Sequence, residues 1–174
     1  NTIAPNSEAT FQYRSRVADG LLVLYEFLEG GGTTIHDLSD AGTPLDLEIQ
    51  DPAAVTWAEG ALAVNAATIA SSAGAATKVI TACQASNEIT AEAWVTPADT
   101  IQDGPARIVT ISSGTGDRNF TLGQQGAAFD VRLRTTDTDN NGRPSVPTPA
   151  DSVATQLTHV VYTRSTSGEV AIYI

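Results

Sequence analysis

Apolar and polar residues alternate with a period of two along most of this chain, in short runs cut by glycine, proline and Asx-type turns. Leu45, Leu47 and Ile49 alternate with Asp46, Glu48 and Gln50, which puts three apolar side chains on one face of a strand. Ile89, Ala91, Ala93 and Val95 alternate with Glu88, Thr90, Glu92 and Trp94. Phe129, Val131 and Leu133 alternate with Asp130, Arg132 and Arg134, predicting an apolar inner face and a charged outer one. Val55–Trp57 and Ala61–Val64 flank Glu59-Gly60, a hairpin signal, and Thr68–Ser72 reads as a further short strand. Arg107–Ser112, Asn119–Gln124, Val153–Leu157, His159–Arg164 and Glu169–Ile174 complete the strand-like runs. Ala75–Ser86 alone has helical spacing, with Val79, Ile80 and Cys83 sharing a face. About a dozen short strands at turn spacings and one short surface helix predict an all-β, two-sheet antiparallel β-sandwich of jelly-roll type.

The stretch Gly20–Asp40 anchors this pattern. A continuous apolar run from Leu21 predicts a buried strand, Gly30–Gly32 a tight turn, and Thr33–Ile35 a β-branched return into the polar loop Asp37–Asp40. Ahead of it, residues 1–19 read as an arm or linker with an edge strand in Phe11–Val17, and residues 20–174 as one domain. Thr136–Pro149 is a long polar loop with Asn141-Gly142 at its tip, the dipeptide that a type I′ hairpin turn prefers.

Charge narrows the partners. Nine Lys and Arg against twenty Asp and Glu leave a net charge of −11. That argues against a nucleic-acid backbone or an anionic membrane surface as partner, since both need clustered cations. No apolar run approaches the length that spans a bilayer. The single cysteine, Cys83, excludes an internal disulfide and reads as a small buried hydrophobe. The chain carries no methionine, and GEVAIYI stops inside a strand pattern, so the sequence reads as a portion of something longer.

The order of these pieces resembles a laminin G-like domain of the concanavalin A-like lectin and glucanase superfamily. The residues that carry the resemblance are LYEFLEGGGTTIHDLSD, then Ile89–Val95 (ITAEAWV), His159–Arg164 (HVVYTR) and Ala171–Ile174 (AIYI). It extends over about Gly20 to Ile174. Leu157-Thr158 stands where the family usually has a tryptophan before its histidine, and the Asp-Gly turn and closing strands that follow in the family are absent. The resemblance implies a two-sheet jelly roll in a secreted or surface protein, a glycan or protein ligand, and often a structural calcium ion. Either the closing strands then lie outside this sequence, or a neighbouring domain or subunit covers the C-terminal edge.

Two loops are candidate calcium ligands. Asp137, Asp139 and Asn141 with Gly142 match the start of a D-x-D-x-N-G loop, whose alternate oxygens suit a hard cation. Thr148 stands at the twelfth position in place of the bidentate glutamate, and the alternative is a solvated hairpin loop. Asp37 and Asp40, with Ser39, Glu26 and Glu29, form the second set, against the alternative of plain turn chemistry. Glu88 and Glu92 share a strand face, as the acids of related glucanases do. Four residues of strand separate them by roughly 13 Å, too far for a hydrolytic pair without twisting, and Thr90 stands between them. No catalytic residue is therefore assigned. His36 and His159 lack a second histidine at metal-ligand spacing. Trp57, Trp94, Tyr25 and Tyr162 are the candidates for a sugar-stacking platform, with at least one tryptophan expected in the core. Asn119-Phe120-Thr121 fits the N-glycosylation sequon.

These readings combine into an expectation of a non-catalytic extracellular binding or adhesion module. The alternatives are a structural module completed by strand addition from a neighbour and, more weakly, a glycoside hydrolase relative.

Overall fold

The computed structural model describes residues 18–174, so the edge strand expected in Phe11–Val17 lies outside the described residues. The chain divides into two compact units, Asn1–Ala75 and Ala76–Ile174. Strands are antiparallel in all four sheets.

In the first unit, β1 (Thr34–Ile35), β2 (Leu47–Ile49) and β5 (Ala70–Ser71) form a three-stranded sheet with β2 in the middle. The period-two reading of Leu47 and Ile49 holds: Glu48 is exposed between them and Ile49 is buried. A single 3-10 turn, Pro52–Ala54, follows, its N-terminus capped by Asp51 Oδ1 accepting from Ala53 N. It leads into the hairpin of β3 (Val55–Ala58) and β4 (Ala61–Val64). Ala58 pairs with Ala61, so Glu59-Gly60 is the two-residue turn expected, with Gly60 at φ +65°.

The run Leu21–Leu28 does not form the expected strand. Its backbone groups are satisfied by the acidic loop instead of by a ladder. Leu24 N donates to Asp37 Oδ1, Leu38 N donates to the Leu24 carbonyl, and Ser39 Oγ donates to the Leu22 carbonyl. Phe27 then turns the chain in the left-handed region, at φ +55°. A continuous apolar run predicts burial, but the ladder depends on which polar partner arrives first.

The second unit is a β-sandwich. Helix α1 (Thr77–Ser86) precedes it and carries no fully buried residue. The helix ends where Asn87 adopts the left-handed conformation and its N–H caps the Cys83 carbonyl. One sheet has the order β10-β9-β8-β7, from β7 (Gln102–Ser112), β8 (Arg118–Gly126), β9 (Ala128–Leu133) and β10 (Val146–Pro147). The other has the order β12-β11-β6, from β6 (Ile89–Val95), β11 (Thr158–Arg164) and β12 (Val170–Tyr173). Phe120, Leu122, Phe129 and Val131 from the first sheet meet Val160 and Tyr162 from the second, with Val153 joining them from the connecting loop. Each such side chain, fully buried, contributes about 1.5–3 kcal/mol of transfer free energy. Gly104-Pro105 lies inside β7 instead of breaking it, which an irregular edge strand allows. Val153–Leu157 carries no ladder, although Val153 is buried.

Alternation on β9 holds on one face only. Phe129 and Val131 enter the core, but Asp130 and Arg132 are also buried, at 5% and 3% exposure, where solvent was expected. The rule that charge alternating with apolar residues marks a wet face assumes that one face of the sheet is uncovered. Here the loop after β9 folds back over the second face: a Cβ on Gly142 would lie 3.0 Å from Arg132 Cβ.

Candidate functional site

The outer face of the β12-β11-β6 sheet carries the side chains best placed to meet a ligand. Register pairs Trp94 with His159, and Glu92 with Val161, which in turn pairs with Tyr173. Paired residues point to the same face, so Trp94 and His159 form one row, and Glu92, Val161 and Tyr173 the next. Trp94 is 62% exposed and Tyr173 59% exposed. The Trp94 and His159 rings stack, with centroids 4.3 Å apart and planes 6° from parallel. Glu92 Oε2 lies 3.2 Å from His159 Nε2 and fixes the imidazole from the adjacent row. Strand spacing and rise put the backbones of Trp94 and Tyr173 about 12 Å apart across this face. The arrangement presents a flat aromatic ring with a carboxylate and an imidazole beside it.

The other aromatic candidates are placed differently. Tyr162 is 1% exposed and packs on Phe120 in the core, where burial raises its pKa. Tyr25 Oη donates to the Leu45 carbonyl, and its pKa is raised by burial and then by Asp37 and Asp46. Trp57 is half-buried and donates its indole N–H to the Gly32 carbonyl at 3.1 Å. Of the four, Trp94 alone offers an open ring face. Its position in the ITAEAWV alternation, opposite the alanines, was the signal that could have singled it out.

Glu88 and Glu92 do not form a pair. Glu88 precedes β6 and accepts from Thr166 Oγ1 at 2.6 Å, whereas Glu92 is engaged with His159. Glu88 helps tie the helix end to the β11–β12 turn, as do Asn87 Nδ2 donating to the Thr166 carbonyl and Arg164 Nη1 donating to the Asn87 carbonyl.

Both candidate metal loops are organised by their own backbone. Asp37 Oδ1 accepts from Leu24 N and Ser39 N, and Oδ2 accepts from Leu45 N. Asp46 accepts from Asp37 N and His36 Nδ1, and the Asp37 N–H is the main reason its pKa is lowered. Asp40 is exposed, in the left-handed region at φ +55°. In the second loop, Asp139 Oδ1 accepts from Arg143 N and Asn141 N, both at 2.8 Å. Gly142 N closes the turn onto the Asp139 carbonyl with φ +70°, while Asn141 keeps negative φ, so the turn is not type I′. Asp137 is exposed, and its backbone N–H donates to Thr135 Oγ1. Among the described residues no three His, Cys, Asp or Glu side chains converge as metal ligands. Three of these carboxylate oxygens, Asp37 Oδ1, Asp37 Oδ2 and Asp139 Oδ1, accept backbone N–H groups.

A cavity of about 160 Å³ opens beneath this loop, lined by Leu133, Asp137, Thr138, Tyr162 and Arg164 among others. It is smaller than the roughly 300–1,000 Å³ of drug-sized sites, so an open face is the better candidate for recognition. Cys83 is half-buried, and burial pushes its thiol pKa up, away from reactivity.

A laminin G-type family profile of the concanavalin A-like lectin/glucanases superfamily matches residues 69–174. The chain belongs to this family. The match spans β5 to β12 and includes the Trp94–His159 row, while the Gly20–Asp40 stretch lies outside it. Neither a curated protein nor a solved structure gives a match. As a laminin G-like domain the chain is a carbohydrate- or protein-binding module in broad class. Among the described residues no helix is long and apolar enough to cross a membrane.

Proposed function

We propose that this laminin G-like domain is a non-catalytic, extracellular binding module that takes a glycan on the outer face of the β12-β11-β6 sheet. The observation that carries the reading is the exposed Trp94 ring, stacked on His159 and flanked by Glu92. An aromatic ring held rigid by a neighbour offers a large apolar area at low entropic cost, and tryptophan dominates the energetics of many recognition surfaces. The apolar face of a sugar ring stacks on the indole, and its hydroxyls find Glu92 as acceptor and His159 as polar neighbour. The absence of a paired carboxylate at Glu88 and Glu92 favours binding over hydrolysis. Glycan-array binding by the intact chain, lost on Trp94→Ala, tests the reading. Release of reducing sugar from a β-glucan would overturn its non-catalytic part.

The second reading, a structural module completed by strand addition, draws on the outer edge of β12. Among the described residues that edge has no ladder partner, and Val170 and Tyr173 on it are exposed. A neighbour pairing along Val170–Tyr173 would cover part of the same face that carries Trp94. Glycan binding and strand addition are therefore separable by whether the ligand's affinity falls when the edge is occupied.

A further inference from the structure

One side of the sandwich holds a cavity that the proposed binding face does not use. β10 and β12 each have one ladder partner among the described residues, so both sheets end there in a free edge. Val146 pairs with Val131, and Val170 pairs with Arg164, two residues along β11 from Tyr162. Paired residues share a face, so Val146 and Val170 point into the space between the sheets, as the core residues Val131 and Tyr162 do. That space is not filled. Val170 faces inward yet is 42% exposed, and the cavity of about 160 Å³ opens between the two edges. Leu133 and Pro144 complete its apolar walls.

One buried donor in its wall is unused. Tyr162 is 1% exposed, and its hydroxyl makes no hydrogen bond among the described residues. The hydroxyl is not sealed from all access, as the unpartnered Arg118 Nε is, and the surface left to it lies on the cavity that Tyr162 lines. Water is a poor occupant there, since a buried water needs about two to four polar partners. Thr138 Oγ1, also on the lining, already donates to the Leu133 carbonyl and accepts from Thr135 N. Arg164 Nη1 donates to the Asn87 and Ser165 carbonyls. The charges of the lining balance, with one cation at Arg164 and one carboxylate at Asp137.

We propose that this cavity binds a small uncharged molecule, with an apolar body the size of a single ring and an acceptor oxygen that takes the Tyr162 hydroxyl hydrogen. The volume sets the size, since an apolar cavity of about 150 Å³ takes up benzene. The walls set the body, because small-molecule sites are mostly apolar with a few placed polar groups. The balanced lining disfavours a net charge. The unmade hydrogen bond at Tyr162 selects the acceptor, because a buried donor left unpaired is unfavourable. The site lies between the sheets, on the opposite side of β11 from the row that carries His159, and does not depend on the glycan-binding reading.

The test is titration of the intact, isotope-labelled chain with acetophenone, toluene and benzoate, followed by amide chemical shifts. The proposal expects saturable shifts clustered at Leu133, Thr138, Tyr162 and Val170. Acetophenone should bind about three- to tenfold more tightly than toluene, the worth of one neutral hydrogen bond, and more tightly than the charged benzoate. Tyr162→Phe removes only the unpartnered hydroxyl, so it should be no less stable than the wild type. It should bind toluene as the wild type does and acetophenone no better than toluene. Val170→Trp should fill the mouth and abolish binding of all three probes; if that variant does not fold, Tyr162→Phe still decides. Shifts absent up to the solubility limit of every probe, or an acetophenone preference that persists in Tyr162→Phe, would overturn the proposal and leave the cavity to water. Benzoate bound most tightly would overturn the uncharged class of the ligand.

Discussion

The Trp94 indole lies flat against the His159 imidazole, 4.3 Å between centroids and 6° from parallel. The two residues are opposite each other in the β6–β11 ladder, so the stack is a cross-strand pair on a sheet face open to solvent. Aromatic cross-strand pairs contribute roughly 0.2–1 kcal/mol. Their larger effect here is to fix the ring that a ligand meets. His159→Ala should lower stability by no more than about 1 kcal/mol and should weaken the near-UV circular dichroism that a clamped Trp94 gives. His159→Phe should preserve that signal. A near-UV spectrum unchanged in His159→Ala would mean that the stack does not order Trp94.

Leu122 tests the sandwich itself. It is fully buried at the centre of β8, packed among the residues of both sheets. Leu122→Ala should cost about 2–5 kcal/mol, read as a fall in the midpoint of denaturant unfolding. A loss below about 1 kcal/mol would place the core elsewhere.

Gly142 and Gly60 separate conformational strain from steric conflict. Both have positive φ, +70° and +65°. A Cβ at Gly142 would come within 2.9 Å of Leu133 N, whereas at Gly60 the nearest atom is Leu28 Cδ2 at 3.9 Å. Gly60→Ala should cost about 1–2 kcal/mol, the left-handed penalty alone. Gly142→Ala should cost clearly more in the same unfolding assay, because backbone must shift as well. Equal costs would mean that the Asp139–Gly142 turn is not held against β9.

Asp139 gives that turn a pH dependence. The Arg143 N–H holds its carboxyl below the usual range; desolvation opposes it, and the Asn141 N–H and the charges of Arg143 and Arg132 add to the lowering. A carboxylate with a lowered folded-state pKa stabilises above its unfolded pKa and loses that contribution as pH falls through the folded value. The stability gap between wild type and Asp139→Asn should therefore be full at pH 6–7 and close as pH falls below about 4. Because the oxygens are bonded to the chain's own backbone, the gap should be the same in calcium and in EDTA. A gap present only in calcium would show that the loop holds the ion after all.

Period-two patterning made most strands readable: Leu47–Ile49, Val55–Ala58, Ala61–Val64, Ile89–Val95 and Thr158–Arg164 all form ladders. Short-range turn chemistry at Glu59-Gly60 was equally legible. What the pattern missed depends on contacts distant in sequence. The run Leu21–Leu28 looks like a strand until the Asp37 carboxylate, thirteen residues on, takes the Leu24 N–H. Asp130 and Arg132 look solvated until the loop carrying Gly142 returns over them. The register shift between Ile111–Phe120 and Ser112–Arg118 leaves no trace in the alternation of RNFTLGQ. Trp94 was visible as one of four aromatic candidates, but only the partners of the other three showed which ring remains open.

The most direct test of the binding account is a glycan-array measurement on the intact chain and its Trp94→Ala variant, with thermal unfolding of both and with Trp57→Phe as the comparison. The account predicts a glycan class bound by the wild type and by Trp57→Phe, and weakened at least about tenfold in Trp94→Ala, with no more than the small fall in Tm that losing the stack on His159 brings. Binding undiminished in Trp94→Ala would contradict it.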